Sequence, residues 1–140
     1  MKSGDYRFEV FDSEHGRVLE TVYPESVDIP KLSAVIADYY ALWDDSTPIA
    51  ALGSIARLQH MSAEARDVTL ALFARFVKRE NYVGAAWYTE GNAYALELWT
   101  HILAQVPGSQ RMIFERREDA LAYLESKLEA HAAAEHVVGG

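Results

Sequence analysis

Hydrophobic and polar positions along the chain follow two rhythms, and the changes of rhythm mark its elements. Tyr6-Arg7-Phe8-Glu9-Val10-Phe11 and, in part, Arg17–Tyr23 alternate with the period of two of a β-strand. Between them Asp12-Ser13-Glu14-His15-Gly16 is turn chemistry, so the pair reads as an antiparallel hairpin at one sheet edge. Asp28 then offers a helix cap with Pro30 in the first turn. Behind it Ile29, Leu32, Val35/Ile36, Tyr39 and Trp43 recur at helical spacing, and Asp44–Pro48 ends the helix.

From Pro48 to Ala56 the chain is apolar, small and uncharged, as a strand covered on both faces is. It turns through Arg57–Met61 into a helix capped by Ser62, with Glu64 at its positive end and Lys78-Arg79 at its negative end. Ala65, Val68, Leu72 and Phe76 form one stripe of that helix; Leu70, Phe73 and Val77 form another. Val83–Tyr88 is a second buried strand. It turns through Thr89-Glu90-Gly91-Asn92 into a helix capped by Asn92, where Leu96, Trp99 and Leu103 share a face beside Leu98 and Ile102, and Pro107-Gly108 stops it. Arg111–Phe114 reads as the last strand. The final helix turns Ala120/Leu121, Leu124 and Leu128 inward, and the Ala-rich stretch 129–140 is expected to be a helix end fraying into a flexible tail.

The predicted fold is therefore α/β, with one domain over residues 1–128. A mixed five-stranded sheet carries an N-terminal antiparallel hairpin, then a helix and three strand–helix units. Ligands and partners of parallel sheets meet the loops at the carboxyl ends of the strands. This directs attention to Leu58–Ser62, Thr89–Asn92 and Glu115–Arg117.

Composition narrows the chemistry. The 140 residues carry a formal charge of −8 and no cysteine, which removes disulfides and thiolate sites and argues against a nucleic-acid partner. No apolar run reaches the roughly 20 residues of a membrane span, and the N-terminus has no apolar signal core, so cytoplasmic residence is expected. Arg111 and Arg116-Arg117 lie among acids, as at a solvated helix start. His131 and His136 are poorly spaced for one helix face, and Gly53, Gly84 and Gly91 do not make a phosphate cradle; neither metal nor cofactor is expected.

Ser62 has two readings, a simple cap or a phosphoacceptor whose added charge would meet the free amides of a helix start. His60 has the reading of a surface residue or of a base beside Ser62 or Ser54, with Glu64 or Glu90 orienting it. The aromatic surplus around Tyr39, Tyr40 and Trp43, and around Trp87, Tyr88, Tyr94 and Trp99, is core packing whose excess would serve a protein partner, a second copy in a homodimer, or an apolar ligand.

Three segments resemble the STAS-like domains, specifically their SpoIIAA-like branch. They are Leu52–Arg66, where a strand enters a helix around a loop; Tyr88-Thr89-Glu90-Gly91-Asn92; and Ile113–Leu124, with a phenylalanine strand before an acidic turn and the run Glu118-Asp119-Ala120-Leu121-Ala122-Tyr123-Leu124. The resemblance spans about Tyr6 to Leu128. It implies a relative of anti-sigma-factor antagonists, which bind a kinase and are switched by phosphorylation of a serine at the central helix start. The fold is also related to CRAL-TRIO lipid carriers. Where the antagonists have Asp-Ser-Ser-Gly, this chain has Gln59-His60-Met61-Ser62. A gapless reading puts His60 or Met61 at the acceptor position, and a slipped helix start puts Ser62 there.

The resulting expectation is a non-enzymatic protein-interaction module. Its surface would be Leu58, Gln59, His60, Met61, Ser62, Thr89, Glu90, Asn92 and Arg116, with Ser62 as phosphoacceptor. An apolar-ligand carrier is the alternative, and a serine/histidine hydrolase a more distant one.

Overall fold

The computed structural model of the chain describes residues 2–3, 5–42, 47–106 and 112–139. Trp43 and Arg111 lie outside them, as do the side chains of Tyr39, Tyr40 and His136. In chain order the elements are β1 (Lys2–Ser3), β2 (Tyr6–Ser13), β3 (Gly16–Val22), β4 (Ser26–Val27), α1 (Ile29–Leu42), β5 (Ile49–Ser54) and β6 (His60–Met61). They continue with α2 (Ala63–Phe76), β7 (Tyr82–Tyr88), α3 (Ala93–Ala104), β8 (Ile113–Phe114) and α4 (Arg117–Gly139).

The sheet runs β1-β2-β3-β5-β7-β8. Its five expected strands are present, and the two-residue β1 adds to the hairpin edge. β2 and β3 pair antiparallel in a register that leaves Glu14 and His15 as the turn, whereas β3, β5, β7 and β8 are parallel. The segment expected to be loop at Leu58–Ser62 holds β6, which pairs in parallel with β4 as a separate ribbon. Two-residue strands carry too little periodicity to be read from sequence.

Local chemistry explains the helix starts. Asp28 Oδ1 accepts from Lys31 N at 3.1 Å, Ser62 Oγ from Ala65 N at 3.1 Å, and Asn92 Oδ1 from Ala95 N at 3.1 Å. Each satisfies an amide the helix leaves free. The inward faces differ in detail from the predicted stripes. α2 buries Ala65, Thr69, Phe73 and Phe76, while Val68 and Leu72 are half-buried; α3 buries Ala95, Leu98, Trp99, Ile102 and Leu103, and leaves Leu96 exposed. α4 buries Ala120, Leu124 and Leu128 and stays helical through Gly139, so the stretch expected to fray after Leu128 keeps helical backbone. Glutamate and alanine in that stretch are good helix formers, and their propensity sustains the helix beyond its buried face.

The two faces of the sheet are covered differently. Among the described helices α4 crosses one face, against β5, β7 and β8. α1, α2 and α3 surround the other, where Tyr6, Tyr23, Ala51, Gly53 and Trp87 point. The central strand is nearly free of bulk on that side. A Cβ on Gly53 would overlap Trp87 Cδ1 and stand 2.6 Å from its Nε1, so the indole lies directly over the glycine. Aromatic rings continue from there in edge and tilted contacts, Phe73 to Trp87 to Trp99 to Tyr23 to Tyr6. Between this belt and the helices a cavity remains. Its volume is about 70 Å³, several times the roughly 10–15 Å³ a single water needs. Ala51 borders it and is only half-buried, although its strand is flanked on both sides.

Candidate functional site

The rim at the carboxyl ends of the parallel strands is one hydrogen-bonded unit. After β5 the chain is held to the neighbouring segments: Gln59 N and His60 N donate to Glu25 O at 2.7 and 3.0 Å, and Ser62 N to Val27 O at 3.1 Å. After β7, Thr89 N donates to Phe114 O and Glu90 N to Glu115 O, at 3.0 and 2.8 Å. Asn92 joins the two halves. While its oxygen caps α3, its Nδ2 donates to Leu58 O at 2.7 Å and Ala56 O at 3.0 Å, with Ile55 O at 3.4 Å. A side-chain amide is the one group able to do both, since it carries an acceptor and two donors on one short stem.

The turn that places Asn92 is tight. Asn92 N returns to Thr89 O at 3.0 Å, and both central residues have positive φ, 49° at Glu90 and 85° at Gly91. Gly91 is suited to this; Glu90, with a Cβ, is strained by an amount on the order of 1 kcal/mol. The strain is held by the bonds on either side.

Against this frame the expected surface divides in two. Gln59, His60, Glu90 and Arg116 are exposed, and Ser62 is partly exposed. Leu58, Met61 and Thr89 are buried, so their side chains belong to the core and not to a recognition edge. Met61 alternates inward on β6 opposite the exposed His60, and its amide donates to Tyr94 Oη at 3.2 Å. Asn92 serves as the clamp. Ser62 is an N-cap, as read from sequence. Ser54 is buried and hydrogen-bonds the Tyr88 hydroxyl on the α4 side of the sheet, so the arrangement of Ser54 with His60 is not assembled. No group of three potential metal ligands occurs among the described residues. Of large apolar side chains, Tyr94 and Leu96 are the exposed ones among the described residues.

A second polar cluster lies at the same strand ends under α4, and the sequence reading passed over it. Glu20 on β3 is buried and accepts from Arg117 Nε at 2.9 Å and Nη2 at 2.7 Å, and from Tyr88 Oη at 2.7 Å. The Arg117 guanidinium also stands over the Phe11 ring, 6.0 Å from its centre. Burial pushes the Glu20 carboxyl up. The hydrogen bonds from Arg117 and Tyr88, with the Arg117 charge, outweigh that and hold it below the ordinary carboxylate range. Burial, then the bond to Glu20, pushes the Tyr88 phenol up to about 12. The signal in the sequence was a lone glutamate in the middle of Val18-Leu19-Glu20-Thr21-Val22, where both faces are covered.

The cavity on the opposite face carries polar atoms of its own. Tyr6 Oη, Thr69 Oγ1 and Trp99 Nε1 are buried without a hydrogen-bond partner among the described residues, and all three residues line it. Burial pushes the Tyr23 phenol in the same belt up to about 12, opposed by a hydrogen bond from Trp87.

No protein-family model and no curated protein sequence matches the chain. Solved structures do. An uncharacterised protein of the DUF3478 family with a SpoIIAA-like fold, from Shewanella loihica PV-4, is 23% identical with a TM-score of 0.65, over 89% of this chain and 96% of that one. An anti-sigma factor antagonist from Mycobacterium paratuberculosis is 16% identical with a TM-score of 0.55, over 86% and 94%. The fold is SpoIIAA-like, as the three motif segments implied.

Two predictions follow from the bonds. Asn92→Asp keeps the cap but sets a carboxylate against carbonyl oxygens, and is expected to cost about 2–3 kcal/mol in urea unfolding. Faster amide exchange at residues 55–60 should accompany it. The Glu20–Arg117 pair should respond asymmetrically. Arg117→Met leaves a buried carboxylate and is expected to cost about 3 kcal/mol at neutral pH. Glu20→Gln, with the Arg117 side chain 43% exposed and able to turn to water, is expected to cost nearer 1 kcal/mol. Because Glu20 is lowered in the folded protein, its contribution is complete above the ordinary value of 4.5 and is lost as pH falls through the folded value. In Arg117→Met the sign reverses, burial raising the carboxyl, so the stability gap to the parent should narrow at about pH 3.5.

Proposed function

We propose that the chain is a non-enzymatic regulatory module of STAS-like type that docks a protein partner through the rim at the carboxyl ends of β5, β7 and β8. The observation that carries this is the clamped rim. Asn92 and the Glu90–Glu115 bond fix the backbone of three loops, while Gln59, His60, Glu90 and Arg116 remain exposed. A surface ordered before binding loses less entropy on docking. The fold shared with a protein titled an anti-sigma factor antagonist supports the reading.

Ser62 is its switch. The hydroxyl is partly exposed at the first turn of a 14-residue helix, where a phosphate would meet amide donors and the positive end of the dipole. Capture of partners from the native lysate, quantified for the parent, Ser62→Asp and the rim variant His60→Ala/Arg116→Glu, tests both parts. The rim variant should lose the specific partner and Ser62→Asp should change its capture several-fold. Unchanged capture by the rim variant would remove the docking surface, and unchanged capture by Ser62→Asp would remove the switch alone.

A second reading, an apolar ligand held between the sheet and α1–α3, is favoured by the aromatic cavity and by the half-buried Ala51 at its floor. Native mass spectrometry of gently purified protein should find an added small-molecule mass, absent from Ala51→Leu, which fills the space. A clean apo mass for the parent would count against it.

A further inference from the structure

We infer that the ligand suited to this cavity is a compact, neutral, largely aromatic molecule with a carbonyl oxygen that accepts hydrogen bonds from Trp99 Nε1, Tyr6 Oη and Thr69 Oγ1. The inference rests on the second reading above and specifies its chemistry.

Three residues that line this cavity each carry a buried polar atom to which the described residues offer no hydrogen-bond partner. Trp99, Tyr6 and Thr69 are 1%, 2% and 8% exposed, they come from three different elements, and each lines the same space. Burial without a partner is costly for each. Crowding of aromatic rings does not produce this by itself, because in the same belt Trp87 and Tyr23 hydrogen-bond one another.

The atoms also fix the sign of the missing group. An indole N–H only donates. Burial, with the Tyr23 phenol and the Asp28 carboxylate nearby, pushes the Tyr6 phenol far above its ordinary range, so it keeps its proton and donates too. The indole therefore requires an acceptor, and the Tyr6 and Thr69 hydroxyls are able to donate to one as well.

Charge then separates a carbonyl from a carboxylate. The lining is aromatic, aliphatic, glycine and threonine, with no lysine, arginine or histidine among the described residues. An ionised head group would be stripped of water without a cation to meet it. A neutral oxygen needs only the donors that are there. The walls set the body of the ligand: Tyr6, Tyr23, Trp87 and Trp99 stand in edge and tilted contacts with ring centres 5.1 to 6.0 Å apart, an arrangement that a flat ring system extends.

The test uses the full chain, titrated by tryptophan fluorescence and calorimetry with benzophenone, with diphenylmethane as the same shape without oxygen, and with dodecanoate at about pH 8. Benzophenone should bind about tenfold or more tighter than diphenylmethane. That ratio, read within each variant, should collapse towards one in Trp99→Phe and, independently, in Thr69→Val, whatever each change does to diphenylmethane affinity; circular dichroism checks the fold of each. Equal affinity for the two probes in the parent would overturn the acceptor inference and leave an apolar-ligand cavity. Preference for dodecanoate would overturn neutrality. Binding of none would overturn the ligand reading, and this inference with it, leaving the three polar atoms to water.

Discussion

How little side-chain volume the central strand carries decides the rest of this molecule. β5 reads Ile49-Ala50-Ala51-Leu52-Gly53-Ser54 and is paired in parallel on both edges. A strand so placed has no solvent face, so what it lacks in bulk must come from its neighbours or remain empty. Over Gly53 it comes from Trp87, which a Cβ at that position would displace. Over Ala51 the helices do not close, and the cavity begins there. The small residues that admit the indole also admit the void.

The two faces resolve the same shortage in different ways. Under α4 the small strand meets aliphatic side chains, with Ala120, Leu124 and Leu128 fully buried. A polar knot stands at its open end, where Arg117 reaches back to Glu20 and ties the first turn of α4 to β3. On the other face three helices share the task, and the belt from Phe73 to Tyr6 bridges them without filling the space. One helix serves both features of interest. α3 holds the rim through Asn92 at its cap, and seven residues later, about two turns or 10 Å along, it sets Trp99 against the cavity. A change in how Trp99 is contacted acts on the element whose cap residue clamps Ile55, Ala56 and Leu58.

Legibility in the sequence followed the physics of each signal. Cap residues were readable because Asp28, Ser62 and Asn92 work within three residues of themselves, and the structure finds all three in place. The order of elements along the chain was readable from apolar runs alternating with helical ones, and the rim from the topology they imply. Inward faces were read less well, because apolar residues on α2 and α3 exceed one stripe and hydropathy does not choose among them. Thr69 is buried while Leu96 is exposed. The Asn92 clamp and the Glu20–Arg117 pair were invisible for a common reason. Their partners lie 34 to 37 and 97 residues away, and only the folded sheet brings them together. Met61 was misread as surface because a two-residue strand decides its direction.

A rim built this way is costly to hold and correspondingly defined. Glu90 occupies a left-handed conformation where glycine would be easier, and the neighbouring Gly91, whose Cβ would meet nothing, has free space instead. Packing therefore does not force the turn; hydrogen bonds do. Glu90 N is bound to Glu115 O, Asn92 N to Thr89 O, and the Asn92 amide to the carbonyls beyond β5. Each of these groups would otherwise need water at the edge of the core. Satisfying them against one another fixes the spacing between loops that come from three separate strands. Under the docking proposal a partner would meet a surface whose backbone is already set, with the exposed side chains Gln59, His60, Glu90 and Arg116 left to adjust.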